Sequence, residues 1–483
     1  MGIPKPIPLH NGFYQSEALP VASQFCQNMY VNIPETDGAI SDSQLYPSPG
    51  LVELISSGDT EINRGAHKLS NAPYYVNGNT LYRLESDLIT LTTLGTIAGA
   101  GRVSMADNGT QLMIVVPGTR VGYIYTVAGG LVPIVDITFT KLTKAAPEIV
   151  VFIAGYFVVT RGSKEFFSSN LNNGLVYDAL DFAAAEADPD IIRSAHAHKN
   201  QLYIFGSETI EVYQVATTGI DFPFQRINGF VIPKGIAAPF SVVDFDGTFC
   251  FIGQGVNESP KIYIFNGNDV EPISTTSIDL FLQQGATDIS EAFAWNYTFR
   301  GATFVGWSNT NGTFVFDSKA SGLAGKKIWH QRVSRNLQEK TRWRVNSLIT
   351  AYGELLVGDS ESGIIGRIDN DVATDYGNPI TRDFALPTLE NNSQPMFFNS
   401  VEAVLDSGQG LEDGTIPTIR LLYSDNGRVY KSRSALSAGK VGEYDRKTKW
   451  QQLGSTRRYR ILRFKMDAPI RWVVLKVVVD IDA

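Results

Sequence analysis

Seven times along the chain, an apolar run stops at or near a glycine and an aromatic or β-branched run resumes a few residues later. The stretches are PYYVNGNTLYRL (73–84), LMIVVPGTRVGYIYTV (112–127), YFVVTRGSKEFFSS (156–169), LYIFGSETIEVYQV (202–215), FCFIGQGVNESPKIYIF (249–265), TFVGWSNTNGTFVF (303–316) and ELLVGDSESGIIGRI (354–368). Each reads as two strands joined by a turn. The marking glycines are Gly78, Gly118, Gly162, Gly206, Gly253, Gly306 and Gly358, in steps of 40 to 53 residues. They are expected to supply turns with positive φ. Another apolar run lies upstream in each unit, as in SVVDF (241–245) and SLITAY (347–352). That makes three strands per unit, and the polar-edged connection can supply a fourth. A sheet so small cannot cover both its faces, but neighbours stacked around an axis can. The period predicts a β-propeller. Seven units are visible and seven blades are favoured; six blades with a flanking hairpin would give the same pattern.

Helical periodicity is sparse. The best window is 177–200, where 183–187 favour helix until Pro189. It is expected to be a short excursion between strands. Residues 1–60 are rich in Pro, Asn and Ser, with turns at PKPIP and LYPSPG. They read as an extended N-terminal arm. The propeller is expected over 61–375. Beyond it the spacing rule fails, and short strands separated by hairpin loops predict an antiparallel, sandwich-like β domain over 376–483. Removal of residues 428–483 is expected to leave a soluble propeller. The fold class is all-β.

Composition narrows the function classes. The chain has 483 residues, 43% hydrophobic and 19% charged, which is ordinary for a soluble globular protein. Cys26 and Cys250 are its two cysteines, both in apolar runs, with no C-x-x-C. A disulfide framework is excluded, and two buried inert thiols are expected. MGIPKPIPLHNGFY has neither a basic leader nor a long apolar stretch, so secretion is not expected. No run of 18 apolar residues predicts a membrane-spanning helix. The net charge of −8 conceals an asymmetry: residues 428–483 carry 14 basic and 5 acidic side chains, and the rest carry 27 and 44. An acidic body with a basic tail suggests two surfaces with different partners.

The basic segment interleaves Arg446, Lys447, Lys449, Arg457, Arg458, Arg460, Arg463 and Lys465 with Trp450, Tyr459 and Phe464. A nucleic-acid surface would have this composition. Strand alternation, however, puts 458 and 460 on one face and 457, 459 and 463 on the other. A contact to an acidic protein neighbour is the better reading, because the arginine fork pairs with carboxylates at two points.

Catalytic signals are weak. His196 and His198 share one strand face, an arrangement metal sites use, but no third ligand is near in sequence. They read as surface or turn histidines. The pairs Asp359/Glu361 and Asp188/Asp190 could serve a glycosidase, yet surface carboxylates in turns explain them better. YSDNGRVYKS (423–432) resembles the Asp-box hairpin of sialidases, a turn that is structural even there. Neither G-x-S-x-G, H-E-x-x-H nor a phosphate-binding loop is present. No catalytic residue, metal site or cofactor is expected. The runner-up function is a carbohydrate-binding or glycoside-hydrolysing propeller, which pooled carboxylates and aromatics at one propeller mouth would favour.

Several segments resemble, in order and spacing, the packaged-DNA stabilisation proteins, or tail hubs, of short-tailed lambdoid-type bacteriophages. They are NMYVNI (28–33), YPSPG (46–50), GAGRVSMA (99–106), FGSETIEVYQVATTG (205–219), KGIAAPF (234–240), the stretch 259–279, VGDSESGIIGRID (357–369), YSDNG (423–427) and TRRYRILRFKM (456–466). The resemblance implies a non-enzymatic virion protein, assembled in the host bacterial cytoplasm and resident in the tail. It implies a homo-oligomeric ring, a hexamer, below the portal and its adaptor (the head-to-tail connector). It further implies closure of the DNA channel with a tail needle, docking of tailspikes or fibres, and passage of genomic DNA without specific binding. Acidic bulk along such a channel would let DNA slide.

Overall fold

Each of the seven apolar runs supplies the second strand of a four-stranded blade; the first four blades are separate sheets, and the last three are extended by further strands. The computed structural model describes the chain except residues 1–3, 10–11, 20–21, 186–189, 217–221, 284–288, 337–338, 412 and 483. Six blades are contiguous, at 63–96, 104–133, 147–184, 192–232, 235–272 and 293–336. The seventh takes three strands from 345–369 and its outermost strand, Gly50–Ser56, from the other end of the chain. The first strand of each blade lines the axis. These strands neighbour one another around the ring, and Val345–Ala351 meets Asn63–Leu69 to close it.

Burial explains why the runs are so apolar. The second strands Ala72–Asn77, Gln111–Val116, Tyr156–Arg161 and Gln201–Gly206 are buried at every position after the first. Their alternate residues serve opposite neighbours. Leu202 and Ile204 pack on blade three with Val158 and Phe166, while Tyr203 and Phe205 pack on blade five with Phe249 and Phe251. Each of the seven seams has its own apolar cluster, and an eighth fills the sandwich.

The glycines at the ends of these strands serve a different purpose from the one expected. Of the seven, Gly78 and Gly118 have positive φ. Gly206, Gly253, Gly306 and Gly358 are set by close approach. A Cβ on Gly306 would lie 2.1 Å from the Trp295 ring, and one on Gly206 would lie 2.1 Å from the Asp190 carboxylate. Left-handed backbone is found instead in the first hairpin of the blades, at pairs such as Lys199-Asn200 and Asp246-Gly247, as type I′ turns require.

Three expectations change. The outer strand Gly50–Ser56 falls within the segment expected to be an arm. It joins the propeller because closing the ring with a ladder satisfies an otherwise open sheet edge. The alanine-rich window holds strands, Phe182–Ala184 and Ile192–His198, because Ala183 pairs with Phe166 in the blade-three ladder. Tertiary pairing outweighs alanine's helix preference there; 186–189 lie outside the described residues. The remaining arm is built into the C-terminal domain. Strands Met29–Asn32 and Gln44–Pro47 continue one of its sheets, and Lys5–Ile7 pairs with Val474–Asp482. Removal of 428–483 would therefore strip the arm of its partner strand.

The other sandwich sheet runs outward from blade six. Ser23–Gln27 pairs with Trp329–Asn336 on one side and with Arg382–Ala385 on the other, followed by Tyr459–Met466 and Thr418–Ser424. Between the two sheets lie Trp450, Phe464, Trp472, Val401, Leu421 and Val477.

Candidate protein interfaces

The eight basic residues singled out by sequence divide into two groups. Arg446, Lys447, Lys449, Arg457 and Arg458 are exposed. Arg446 makes a 3.4 Å ion pair with Glu443 on the same turn. The other group faces inward. Arg460 is 1% exposed. Its Nε donates to Asp425 Oδ1 at 2.6 Å and its Nη2 to Oδ2 at 3.0 Å, and it also donates to the carbonyls of Leu453 and Ser455. Its guanidinium lies over the rings of Phe398 and Tyr423. Arg463 grips Asp383 at 2.6 and 2.7 Å and covers Phe25 of the arm. Lys465 is half-buried beside Asp467 at 3.6 Å. Arg460 and Arg463 thus hold the sandwich together and are corrected from surface to interior roles. Alternation along Tyr459–Met466 could place them on different faces but could not say that both faces are covered.

The Asp-box-like turn has the same structural character. Asn426 Oδ1 accepts from the amides of Arg428 and Val429 at 2.9 Å each, and Asp425 is the partner of Arg460. The acidic pairs are likewise engaged. Asp359 is fully buried against Arg344, which also lies 3.5 Å from Glu361. Asp190 accepts from the amides of Glu208 and Thr209, while Asp188 lies outside the described residues. Cys26 and Cys250 are buried, and burial pushes the Cys26 thiol up to about 12.

One mouth of the propeller is a cavity of about 540 Å³ where Arg64, Arg102 and Arg342 meet Phe240 and Phe293; Glu291 is the carboxylate among its lining residues. Arg102 stacks on Phe293 at 3.7 Å and donates to Asn346. Burial, with Arg342 nearby, brings the Arg102 guanidinium down to about 9. Arg64 spends its donors on the carbonyls of Gly101, Gly78 and Ile97. This mouth is a plug of arginines bonded to backbone carbonyls and to the Asn346 side chain, and lacks the pooled carboxylates a glycosidase needs.

At the opposite end of the inner strands, side chains join neighbouring blades. His67 Nε2 lies 2.7 Å from Asp107 Oδ2 across the first seam, and His196 Nε2 lies 3.0 Å from Asp244 Oδ1 across the fourth. The structure therefore brings His196 and His198 together with a third group that sequence proximity could not reveal.

A second surface was not legible in the sequence. Val135, Ile137, Leu142, Leu171, Leu180 and Ile191 are exposed on blades two and three and their connections. The two stretches adjoin: the Tyr177 amide donates to Asp136, and Lys144 lies over the Phe182 ring. Large apolar side chains gathered on an outer edge mark contact surfaces. Their signal is exposure, which pattern alone does not supply.

A closed propeller continuous with a sandwich, displaying basic and apolar side chains outward, has the form of a structural assembly protein. Residues 5–373 match the bacteriophage P22 Gp10 β-propeller family, and residues 381–482 match the P22 Gp10 β-sandwich family. The chain belongs to the P22 Gp10 family and is a structural tail hub protein of a bacteriophage virion, working with other tail proteins. A relative, tail hub protein gp10 of Salmonella phage P22, is 22% identical over 448 residues, covering 90% of this chain and 91% of that protein. Among solved structures, the N-terminal domain of Nup159 aligns with TM-score 0.42 at 11% identity, over 72% of this chain and 99% of that one. YCF48 bound to D1 peptide aligns with TM-score 0.39 at 13% identity, over 70% and 98%.

Proposed function

We propose that the chain is a non-catalytic subunit of a homo-oligomeric ring, a hexamer, below the portal and its adaptor, where it closes the DNA channel together with a tail needle and helps dock tailspikes or fibres. The observation carrying this reading is the shared sheet: Ser23–Gln27 hydrogen-bonds both blade six and the sandwich. Propeller and sandwich are thereby coupled, and a channel part under load needs such coupling. Ring neighbours and adaptor have two surfaces to use. The exposed Arg446, Lys447, Lys449, Arg457 and Arg458 suit an acidic partner. The apolar edge of blades two and three suits a tightly packed one. Assembly in the host cytoplasm accords with two buried, reduced thiols. DNA passes without specific binding, helped by the acidic balance of residues 1–427.

The test is electron microscopy of the purified chain, alone and mixed with portal–adaptor complex. A ring of chains seated below the adaptor is expected. Failure to associate with the complex would sink the reading, and a lumen lined by Lys and Arg would sink the sliding argument.

A further inference from the structure

We propose that His196, His198 and Asp244 form a zinc-class divalent-cation site that fastens blade four to blade five. This inference stands on the geometry of the seam and does not depend on the hub reading.

The donors come from two blades. His196 and His198 project from one face of Ile192–His198, the inner strand of blade four, with their rings nearly parallel at 17° and 6.4 Å between centroids. Asp244 belongs to Val243–Phe245 in blade five, beside the Asp246-Gly247 turn. Donor atoms of all three lie within 4.8 Å of one another. The His196–Asp244 separation of 3.0 Å is already close to that of two donors sharing one ion with bonds of about 2.0–2.2 Å.

Two features favour a ligand over a simple ion pair. The first is an internal comparison. The seam between blades one and two has a corresponding pair, His67 with Asp107, three residues before its turn just as His196 is. Two residues beyond His67 stands Leu69, fully buried; two beyond His196 stands His198. A cross-blade pair needs one imidazole, and only the fourth seam adds a second. The second feature is access with support. Phe249 holds both rings from below, at 5.1 and 5.6 Å, and Asn296 of blade six donates to the Asp244 carbonyl. Meanwhile the Asp244 side chain is 70% exposed. Two imidazoles and one carboxylate suit zinc and the late first-row divalent ions, leaving an open position for water.

The experiment uses the full chain, stripped with chelator and titrated with zinc chloride by calorimetry, with cobalt(II) absorption as a spectroscopic check. One ion per chain is expected. His198→Gln and Asp244→Asn should each weaken binding about tenfold or more, and His67→Asn should leave it unchanged. Thermal unfolding should shift upward with zinc in the wild type and not in His198→Gln. The exposed Asp244→Asn variant is decisive if His198→Gln fails to fold. Wild-type affinity in Asp244→Asn, or no saturable binding at one ion per chain, overturns the assignment.

Discussion

Asn28 and Val333 exchange two hydrogen bonds. Asn28 Nδ2 donates to the Val333 carbonyl at 2.8 Å, and its Oδ1 accepts from the Val333 amide at 2.9 Å. The same Nδ2 donates to the Thr381 carbonyl at 2.8 Å. One buried arm residue, held at φ 54 where asparagine is tolerated, thus ties blade six to the start of the sandwich. Asn28→Ala leaves buried backbone groups on both sides unpaired and should cost about 2–4 kcal/mol. Urea unfolding should also separate into two transitions as the bodies uncouple. A single transition with unchanged midpoint would show that the clamp is dispensable.

The His67–Asp107 pair should show up in the acid limb of stability. The hydrogen bond from His67 holds the Asp107 carboxyl below its ordinary 3.8. A depressed carboxylate stabilises the fold above its unfolded pKa, and that stabilisation is lost as pH falls through the lower folded value. Both side chains are about 30% exposed, so a double-mutant cycle should give roughly 0.5–1 kcal/mol at pH 6. The coupling should weaken progressively as pH falls below 3.8 and be lost once the carboxyl is protonated in the folded state. A coupling that persists there would mean packing, and not charge, links the blades.

Asp375 should act with the opposite sign. Burial raises its carboxyl to about 6, despite a 2.6 Å hydrogen bond from Ser334 and the nearby Arg332, Arg344 and Arg382. The folded state then binds the proton more tightly than the unfolded chain, so this group's contribution falls as pH rises from about 4 to about 6. His330 is pushed well below 6.5 by burial and opposes this trend in the whole protein. The measurement is therefore the difference between wild type and Asp375→Asn. The variant should gain relative stability across that window, and a flat difference would refute the raised value.

Glycine substitutions should separate space from backbone freedom. Gly306→Ala drives a methyl into Trp295, which is held by Ser308 and packed against Trp343, and should cost about 1–3 kcal/mol. Gly322→Ala lies in the helix Ser318–Ala324 with nothing within 4 Å, and should gain about 0.5–1 kcal/mol. Thermal melts of the two variants should move in opposite directions; equal shifts would contradict the steric account.

The basic residues should divide by burial. Arg460→Met leaves the carbonyls of Leu453 and Ser455 without their donor and should destabilise the sandwich by roughly 1–3 kcal/mol. Arg457→Glu with Arg458→Glu should leave folding intact and reduce incorporation into tails at least tenfold. Full incorporation of the double variant would remove these arginines from the interface.

Local pattern determined a great deal. Runs such as Leu202 to Phe205 are apolar at every position because both faces of the second strand are covered, so their 40- to 53-residue spacing marked the blades directly. The propeller was legible for this reason, the terminal sandwich from short strands and hairpin loops where that spacing stops, and the family likeness from the order and spacing of particular segments. Tertiary structure decided whatever depends on distant partners. Gly50–Ser56 has no local sign that it completes the seventh blade, since its partner Ile364–Asp369 lies at the far end of the ring. Arg460 and Arg457 look alike in sequence, yet one is buried and reaches Asp425 while the other meets solvent. His196 acquired Asp244 only when blade four met blade five. Periodicity records which faces a strand buries, because burial acts on each residue where it stands. Which groups meet across a seam is fixed only when the ring closes.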